Sequence, residues 1–258
     1  MLNYRNTNII FLLLFSLLLL FSFFLTINEW FCVLLLAIRF LILVVGSSFI
    51  QLNFHVKAYC NNPFETQKNV ALTFDDGPNE NTLLVLDLLQ KHQAKATFFC
   101  IGKNIEKHPE IVQKIASEGH LVGNHSYSHS HFFDFYRKNR LIDEIKKTDA
   151  LLEKYIGKKV QFFRPPYGVT NPSIRRALEV TKHTVIGWNI RSMDGVLKNK
   201  KVVLNRIKNR IKPGGIVLLH DTSINSVHVL EQLLLYLNEN NYKVVSLEQL
   251  LNSKAYED

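Results

Sequence analysis

The chain has 258 residues, 47% of them hydrophobic, with 18 Phe and a formal net charge of +9. That length can bury one sizeable core but gives no sign of two catalytic domains. Three cysteines, Cys32, Cys60 and Cys100, fall in an apolar run, a polar stretch and a second apolar run, which argues against a disulfide framework.

Residues 1–68 hold four Lys/Arg against two Asp/Glu, which leaves +7 on the remainder. The excess suits anionic membrane surfaces or acidic glycans. No nucleic-acid motif accompanies it, and scattered basic residues such as those from Lys198 to Lys212 read as a solvated face.

Taken in order, the chain opens on an unbroken apolar run from Ile9 to Ile27, long enough at about 1.5 Å per residue to cross a hydrocarbon core of about 30 Å. No small-x-small cleavage site follows it, so an uncleaved anchor is expected. Trp30 to Ile50 forms a second run, interrupted by Arg39, and a central Arg costs at least about 2.5 kcal/mol. This segment either snorkels Arg39, packs it on the first helix, or lies at the interface. One or two N-terminal transmembrane helices are therefore expected within a membrane anchor over residues 1–54. Arg5 and Lys57 flank the pair while the connector Asn28-Glu29-Trp30 has no Lys or Arg, which by the positive-inside tendency leaves both ends of a hairpin cytoplasmic. A single span with the same start puts everything after it outside.

Residues 55–67 mix His, Lys, Asn and Pro without periodicity and read as a linker. From Val70 onward, strand patterns at Val70–Phe74, Ala96–Ile101, His120–Gly123, Val160–Arg164, Thr184–Trp188, Gly215–Leu219 and Lys243–Ser246 alternate with helical ones. The helices are expected at Asn81–His92, Ile105–Glu118, Arg140–Ile156, Ser173–Val180, Lys201–Arg210, Val227–Asn238 and Leu247–Leu251. Leu83, Leu86, Leu88 and Leu89 mark one face of the first, and Gly157 reads as a left-handed cap on the third. Such βα units over residues 68–252 imply an α/β domain with a parallel sheet, open or closed into a barrel. Either architecture gathers its site at the carboxyl ends of the strands.

Those ends carry Asp75-Asp76, Asn124-His125, Arg164-Pro165-Pro166-Tyr167, Trp188 with Asp194 beyond it, and His220-Asp221. Side chains alternate along a strand, so Asp75 and Asp76 should point in different directions, one towards a cation and one towards a substrate. The plainer alternative is an Asp-Gly-Pro turn that caps the next helix. His125 and His129 are four apart, so on a helical turn both face one side and can share a cation with Asp76. Zinc suits that donor set, with cobalt and other divalent ions as alternatives. His131 is offset by six and is expected outside the ligand set, beside the aromatic run from Phe132 to Tyr136, which reads as a packed or groove-lining loop.

Four runs, Thr73-Phe74-Asp75-Asp76-Gly77-Pro78, His125-Ser126-Tyr127-Ser128-His129, Arg164-Pro165-Pro166-Tyr167 and Leu218-Leu219-His220, resemble successive motifs of one family. It is the polysaccharide deacetylases of carbohydrate esterase family 4, the NodB-homology domain, and the resemblance covers about residues 68–252. It implies a distorted, incomplete (β/α) barrel and metal-dependent removal of N-acetyl groups from amino-sugar polymers. By position it implies that Asp75 is the general base, that Asp76, His125 and His129 hold the metal, and that Arg164 orients the base. It further implies the Tyr167 backbone N–H as an oxyanion donor and His220 as general acid, supported by Asp194. Gly195 departs from the family, in which Trp usually follows that Asp, and Arg191 stands where an acidic residue is frequent. The substrate implied is an N-acetylated glycan, and the domain is then expected outside the cytoplasm. A lipid-linked sugar, a small cyclic amide, or a silent glycan-binding role are the alternatives.

Overall fold

The computed structural model describes residues 3–26 and 28–257. Residues 1–2 of the expected anchor, and Ile27 at the end of its first run, lie outside the described residues.

Helices α1 (Tyr4–Ser22) and α2 (Trp30–Ser48) form an antiparallel hairpin, each about 28 Å long at 19 residues. Leu12, Leu13, Leu20, Phe31, Phe40 and Leu41 face outward from it, so both helices are candidate transmembrane spans. Of the three options for Arg39, the structure shows packing on the first helix, with the guanidinium 4.4 Å above the Phe11 ring. The hairpin's base is fastened to the rest of the chain. The Tyr4 N–H donates to the Phe54 carbonyl at 2.9 Å and the Thr170 N–H to the Ser47 carbonyl at 3.0 Å. Gln51 Nε2 donates to the Trp188 carbonyl at 2.9 Å, and Ile50 is 2% exposed within a core cluster.

The segment 55–67, expected as a linker, is partly paired into the sheet. It contains strand β1 (Ala58–Tyr59), which pairs in parallel through Ala58 with Val185 and Tyr59 with Ile186. Two residues are too few to show periodicity, and their partners lie far along the chain.

The chain then alternates β2 (Asn69–Asp75), α3 (Glu80–Lys91), β3 (Thr97–Cys100), α4 (Gly102–Lys107), α5 (Pro109–Ser117), β4 (Leu121–Asn124), α6 (Lys138–Ile156) and β5 (Phe162–Phe163). It continues through α7 (Pro172–Thr181), β6 (Thr184–Ile186), β7 (Ile190–Arg191), α8 (Lys200–Lys208), β8 (Gly215–His220), α9 (Ile224–Glu239), β9 (Lys243–Val244) and α10 (Leu247–Leu251). Among the described residues the sheet order is β1-β6-β5-β4-β3-β2-β8-β7, every pairing is parallel, and β9 pairs with β2. An antiparallel bridge from Asn61 to Gly215 links the segment after β1 to the start of β8. The result is a curled, incomplete (β/α) barrel.

Several boundaries move for local reasons. The single helix expected over 105–118 is two, because Pro109 lacks an N–H and starts a new helix at its first position. On α3 the buried face is Thr82, Val85, Leu86 and Leu89, whereas Leu83 is exposed. Gly157 does close α6 in the left-handed region, at φ 67°.

Both faces of the central strands are buried, which explains their near-continuous apolar runs. Val70, Leu72 and Phe74 pack in the cluster beneath α3, α5 and α9, while Ala71, between them, joins a second cluster with Phe99, Phe163 and Trp188. The period of two thereby fixes register, and with it which residues reach the rim.

Candidate active site

The parallel register places Asp75 opposite His220 and Phe99, and Asn124 opposite Phe163, so the polar strand ends meet on one rim. Asp75, the last residue of β2, is 4% exposed, and its Oδ1 accepts from Arg164 Nη1 at 2.7 Å. Arg164 is fully buried and spends its other donors on Thr73 Oγ1 at 2.8 Å, the Ile186 carbonyl at 3.1 Å and the Gly187 carbonyl at 2.9 Å. Its guanidinium lies 4.1 Å from the centre of the Phe99 ring. A buried charge pair is tolerable when its remaining hydrogen-bonding capacity is satisfied in this way.

Asp76 diverges from Asp75, as strand alternation suggests, but a left-handed backbone at φ 74° directs it. Its Oδ1 is buried without a hydrogen-bond partner and lies 3.5 Å from His125 Nε2 and 3.3 Å from His129 Nε2. Two ligands of a tetrahedral ion with bonds of about 2.0–2.1 Å stand about 3.3 Å apart. The orphaned oxygen and the spacing together fit a divalent cation, and this donor set is the cluster of that kind found among the described residues. Burial opposes ionisation of Asp76, but the His125 imidazole, then His129 and His220, override it and hold the carboxyl well below its usual range. Burial, then neighbouring His125, lowers His129 to about 4, which leaves its ring neutral at pH 7 as ligation requires. The His125 Nδ1–H donates to the Arg164 carbonyl at 2.7 Å, which aims Nε2 at the cluster.

The helical turn expected for the histidines is absent. They sit in a loop after β4 in which Ser126 (φ 64°) and His129 (φ 45°) are left-handed. Side chains hold that shape. The Ser126 N–H donates to Asn124 Oδ1 at 2.8 Å, the His129 N–H to Ser126 Oγ at 3.2 Å, and the Ser128 N–H to Glu144 at 2.7 Å. Asn124 in turn donates to Asp149 at 2.7 Å and to the Ile145 carbonyl at 2.9 Å, which ties the loop to α6.

Across the rim, His220 Nδ1–H donates to Asp194 Oδ1 at 2.8 Å, and the other Asp194 oxygen accepts the His220 backbone N–H at 2.9 Å. Ser192 donates to Asp194 Oδ1 at 2.6 Å. Burial alone would lower His220, but the bond and charge of Asp194 raise it to about 9. His220 Nε2 points back to Asp76, 3.9 Å from Oδ2. A Cβ added at Gly195 would meet the His220 ring at 3.6 Å, so glycine there leaves that side of the imidazole open.

Tyr167 is left-handed at φ 59° in the loop after β5. Its ring centroid lies 4.7 Å from that of His129, and its hydroxyl lies 3.1 Å from His131 Nδ1. The structure thus brings together all eight expected site residues, Asp75, Asp76, His125, His129, Arg164, Tyr167, Asp194 and His220. His131 stays outside the three-ligand cluster but touches Tyr167. Thr73 and Asn124, named above within a motif and at a strand end but given no role, support the site, as do Glu144 and Ser192, which carried no signal of their own.

A parallel half-barrel with an Asp-His-His donor set, a buried carboxylate beside it and an Asp-backed histidine opposite defines a metal-dependent hydrolase. The chain belongs to the polysaccharide deacetylase family, whose model, described as "Polysaccharide deacetylase", matches residues 64–186. The peptidoglycan-N-acetylmuramic acid deacetylase PdaC of Bacillus subtilis is 35% identical over 71% of this chain and 39% of its own length. A peptidoglycan-N-acetylglucosamine deacetylase of Bacillus cereus is 34% identical over 76% of this chain and 73% of its own. The crystal structure of the Bc1960 peptidoglycan N-acetylglucosamine deacetylase, in complex with a naphthalenyl N-oxidanyl-benzamide, superposes with a TM-score of 0.71 at 32% identity. That likeness covers 77% of this chain and 94% of the other. The present chain spans about two fifths of PdaC's length, so the match to PdaC concerns one part of that protein.

Proposed function

We propose that the protein is a metal-dependent N-deacetylase that removes acetyl groups from amino-sugar residues of a cell-envelope glycan, with zinc as the ion. One observation carries this reading. The Asp76 carboxylate faces the two histidine ligands through Oδ1 and His220 through Oδ2, so a cation site, a base and an acid border one small space.

The ion, held by Asp76, His125 and His129, would supply a more acidic water and polarisation of the acetyl carbonyl. Asp75 accepts the proton of the water that adds to the carbonyl carbon, and the Arg164 hydrogen bond keeps Asp75 aimed. The Tyr167 backbone N–H donates to the oxygen on which charge develops. His220, protonated through Asp194, gives its proton to the sugar nitrogen as the carbon–nitrogen bond breaks. The products are acetate and a free amine. Acetate release from N-acetylglucosamine oligomers should disappear with a chelator and return on adding zinc; release that a chelator leaves untouched would end this reading.

We place the domain outside the cytoplasm, anchored by the hairpin, because cell-envelope glycans lie there. An antiparallel hairpin that spans the bilayer would keep Arg5, Lys57 and the catalytic domain on one side of it, so this placement sets the substrate's location above the positive-inside tendency of those two residues. Protease added to spheroplasts should therefore cleave the domain, and full protection would reverse the assignment.

A further inference from the structure

The loop from Phe132 to Tyr136 has no part in the chemistry above, yet it exposes large apolar side chains. Phe132 and Phe135 are 69% and 83% exposed, while Phe133 is buried as the loop's root. The Asp134 carboxylate turns inward, with Oδ1 out of solvent. The Asp134 carbonyl accepts from Asn171 Nδ2 at 2.7 Å, and the adjacent Thr170 N–H donates to the Ser47 carbonyl in the last turn of α2 at 3.0 Å. Two hydrogen bonds and one peptide link thus hold the exposed Phe pair beside the base of the apolar hairpin. Exposed Arg137, Lys138 and Arg140 follow directly, with Arg140 3.6 Å above the Tyr136 ring and bonded to its hydroxyl at 2.8 Å. Aromatic side chains flanked by cations, level with the end of a membrane helix, match the composition of a bilayer interface.

We propose that Phe132 and Phe135, with Arg137, Lys138 and Arg140, form a second membrane contact that seats in the bilayer holding the hairpin, the cations on anionic phospholipid headgroups. The inference rests on the reading of α1 and α2 as membrane spans. Tyr167, three residues before Thr170, shares this edge, so the catalytic rim opens at the bilayer surface. N-acetylated sugars carried there on a lipid come within its reach.

The test uses the full chain in phosphatidylethanolamine–phosphatidylglycerol vesicles that contain a nitroxide-labelled phospholipid. Cys60 and Cys100 are buried, so a Cys32→Ser background accepts one fluorophore at Phe135→Cys or at Lys91→Cys. Lys91 ends α3, which returns to the amino ends of the strands, so it lies on the face away from the rim. The label at 135 should be quenched by the lipid and the label at 91 should not. Quenching at 135 should weaken when Arg137, Lys138 and Arg140 become Gln, or when phosphatidylglycerol is left out. Equal signals at 135 and 91 overturn the proposal. A label on native Cys32 separates the two failures. If it is quenched while 135 is not, the loop contact alone is wrong; if it is unquenched, the membrane reading falls and takes the proposal with it. A second readout is acetate release by the Phe132→Ser, Phe135→Ser double variant. Turnover of soluble N-acetylglucosamine oligomers in detergent should stay unchanged, while turnover of a vesicle-borne N-acetylglucosamine lipid should fall about tenfold as apolar contact with the interface is lost. Equal losses on both substrates would make the loop a sugar platform and refute the membrane contact.

Discussion

The two sides of the catalytic rim are built by different means. On the base side, Asp75 and the histidine loop are fixed by a buried, many-membered network in which Arg164 alone makes four hydrogen bonds and Asn124 braces the loop against α6. On the acid side, His220 depends on one carboxylate, Asp194, which takes both its ring N–H and its backbone N–H. Redundant support suits the roles proposed for these residues, ligands and a base whose positions must not move. For the acid role proposed for His220, one hydrogen-bonded carboxylate supplies the main raising influence on its pKa, ahead of the charges of Asp75 and Asp76.

The largest effect should come from removing a ligand on the braced side. His125→Ala should abolish bound metal and acetate release together, since a single Asp-His pair leaves too few protein donors for a zinc site. Metal content by elemental analysis of the purified variant, beside turnover, checks this; full metal occupancy would show that the donor set is wrong. Next in size is Asp75→Asn, which should leave the metal bound and lower kcat by about 10²–10⁴-fold, the usual worth of a positioned proton acceptor. Undiminished turnover would remove Asp75 from the mechanism while leaving the fold untouched.

The acid side should answer through pH. In the proposed mechanism His220 gives up its proton only while charged, and with Asp194 in place its pKa is raised to about 9, so activity should fall above that pH. In Asp194→Asn burial is opposed only by the charges of Asp75 and Asp76, and the alkaline limb should move down from about 9. The stability contribution has the same sign. A raised folded-state pKa makes the pair stabilising below pH 6.5, and that contribution is lost as pH rises through about 9. A pH–rate profile of Asp194→Asn that overlays the parent's would break the contrast between the two sides.

Much of this is legible in the sequence. Apolar runs that end in Asp75, His125, Arg164 and His220 mark the mouths of parallel strands, and the fold brings such mouths together. Two correct placements had a different local cause. Asp76 turns away from Asp75 through a left-handed backbone, and the pairing of His125 with His129 comes from a loop with two left-handed residues. Spacing in sequence records that two side chains can meet but not the backbone path that lets them. Residues 55–67 looked like a linker because the order of Ala58 and Tyr59 comes from Val185 and Ile186, more than a hundred residues away. Ser192 and Glu144 left no trace, since a hydroxyl or carboxylate gains its role from a partner that only the fold supplies.

The smallest expected effect lies at the edge of the braced side. His131 stands outside the ligand cluster, but its Nδ1 is 3.1 Å from the Tyr167 hydroxyl, and the two rings stack with centroids 6.1 Å apart. Tyr167 in turn packs its ring on His129. These contacts support a positioning role for His131 on the Tyr167 loop, outside the proposed ligand set. Tyr167 is 41% exposed, so the lost bond is worth at most about 0.5–1.5 kcal/mol, or about a two- to tenfold drop in kcat/KM. His131→Ala should show that drop with metal content unchanged, and Tyr167→Phe, which removes the hydroxyl at the other end of the same contact, should match it. A variant that loses metal would make His131 a ligand after all. A drop in His131→Ala without one in Tyr167→Phe would mean that His131 acts through a group other than the tyrosine hydroxyl.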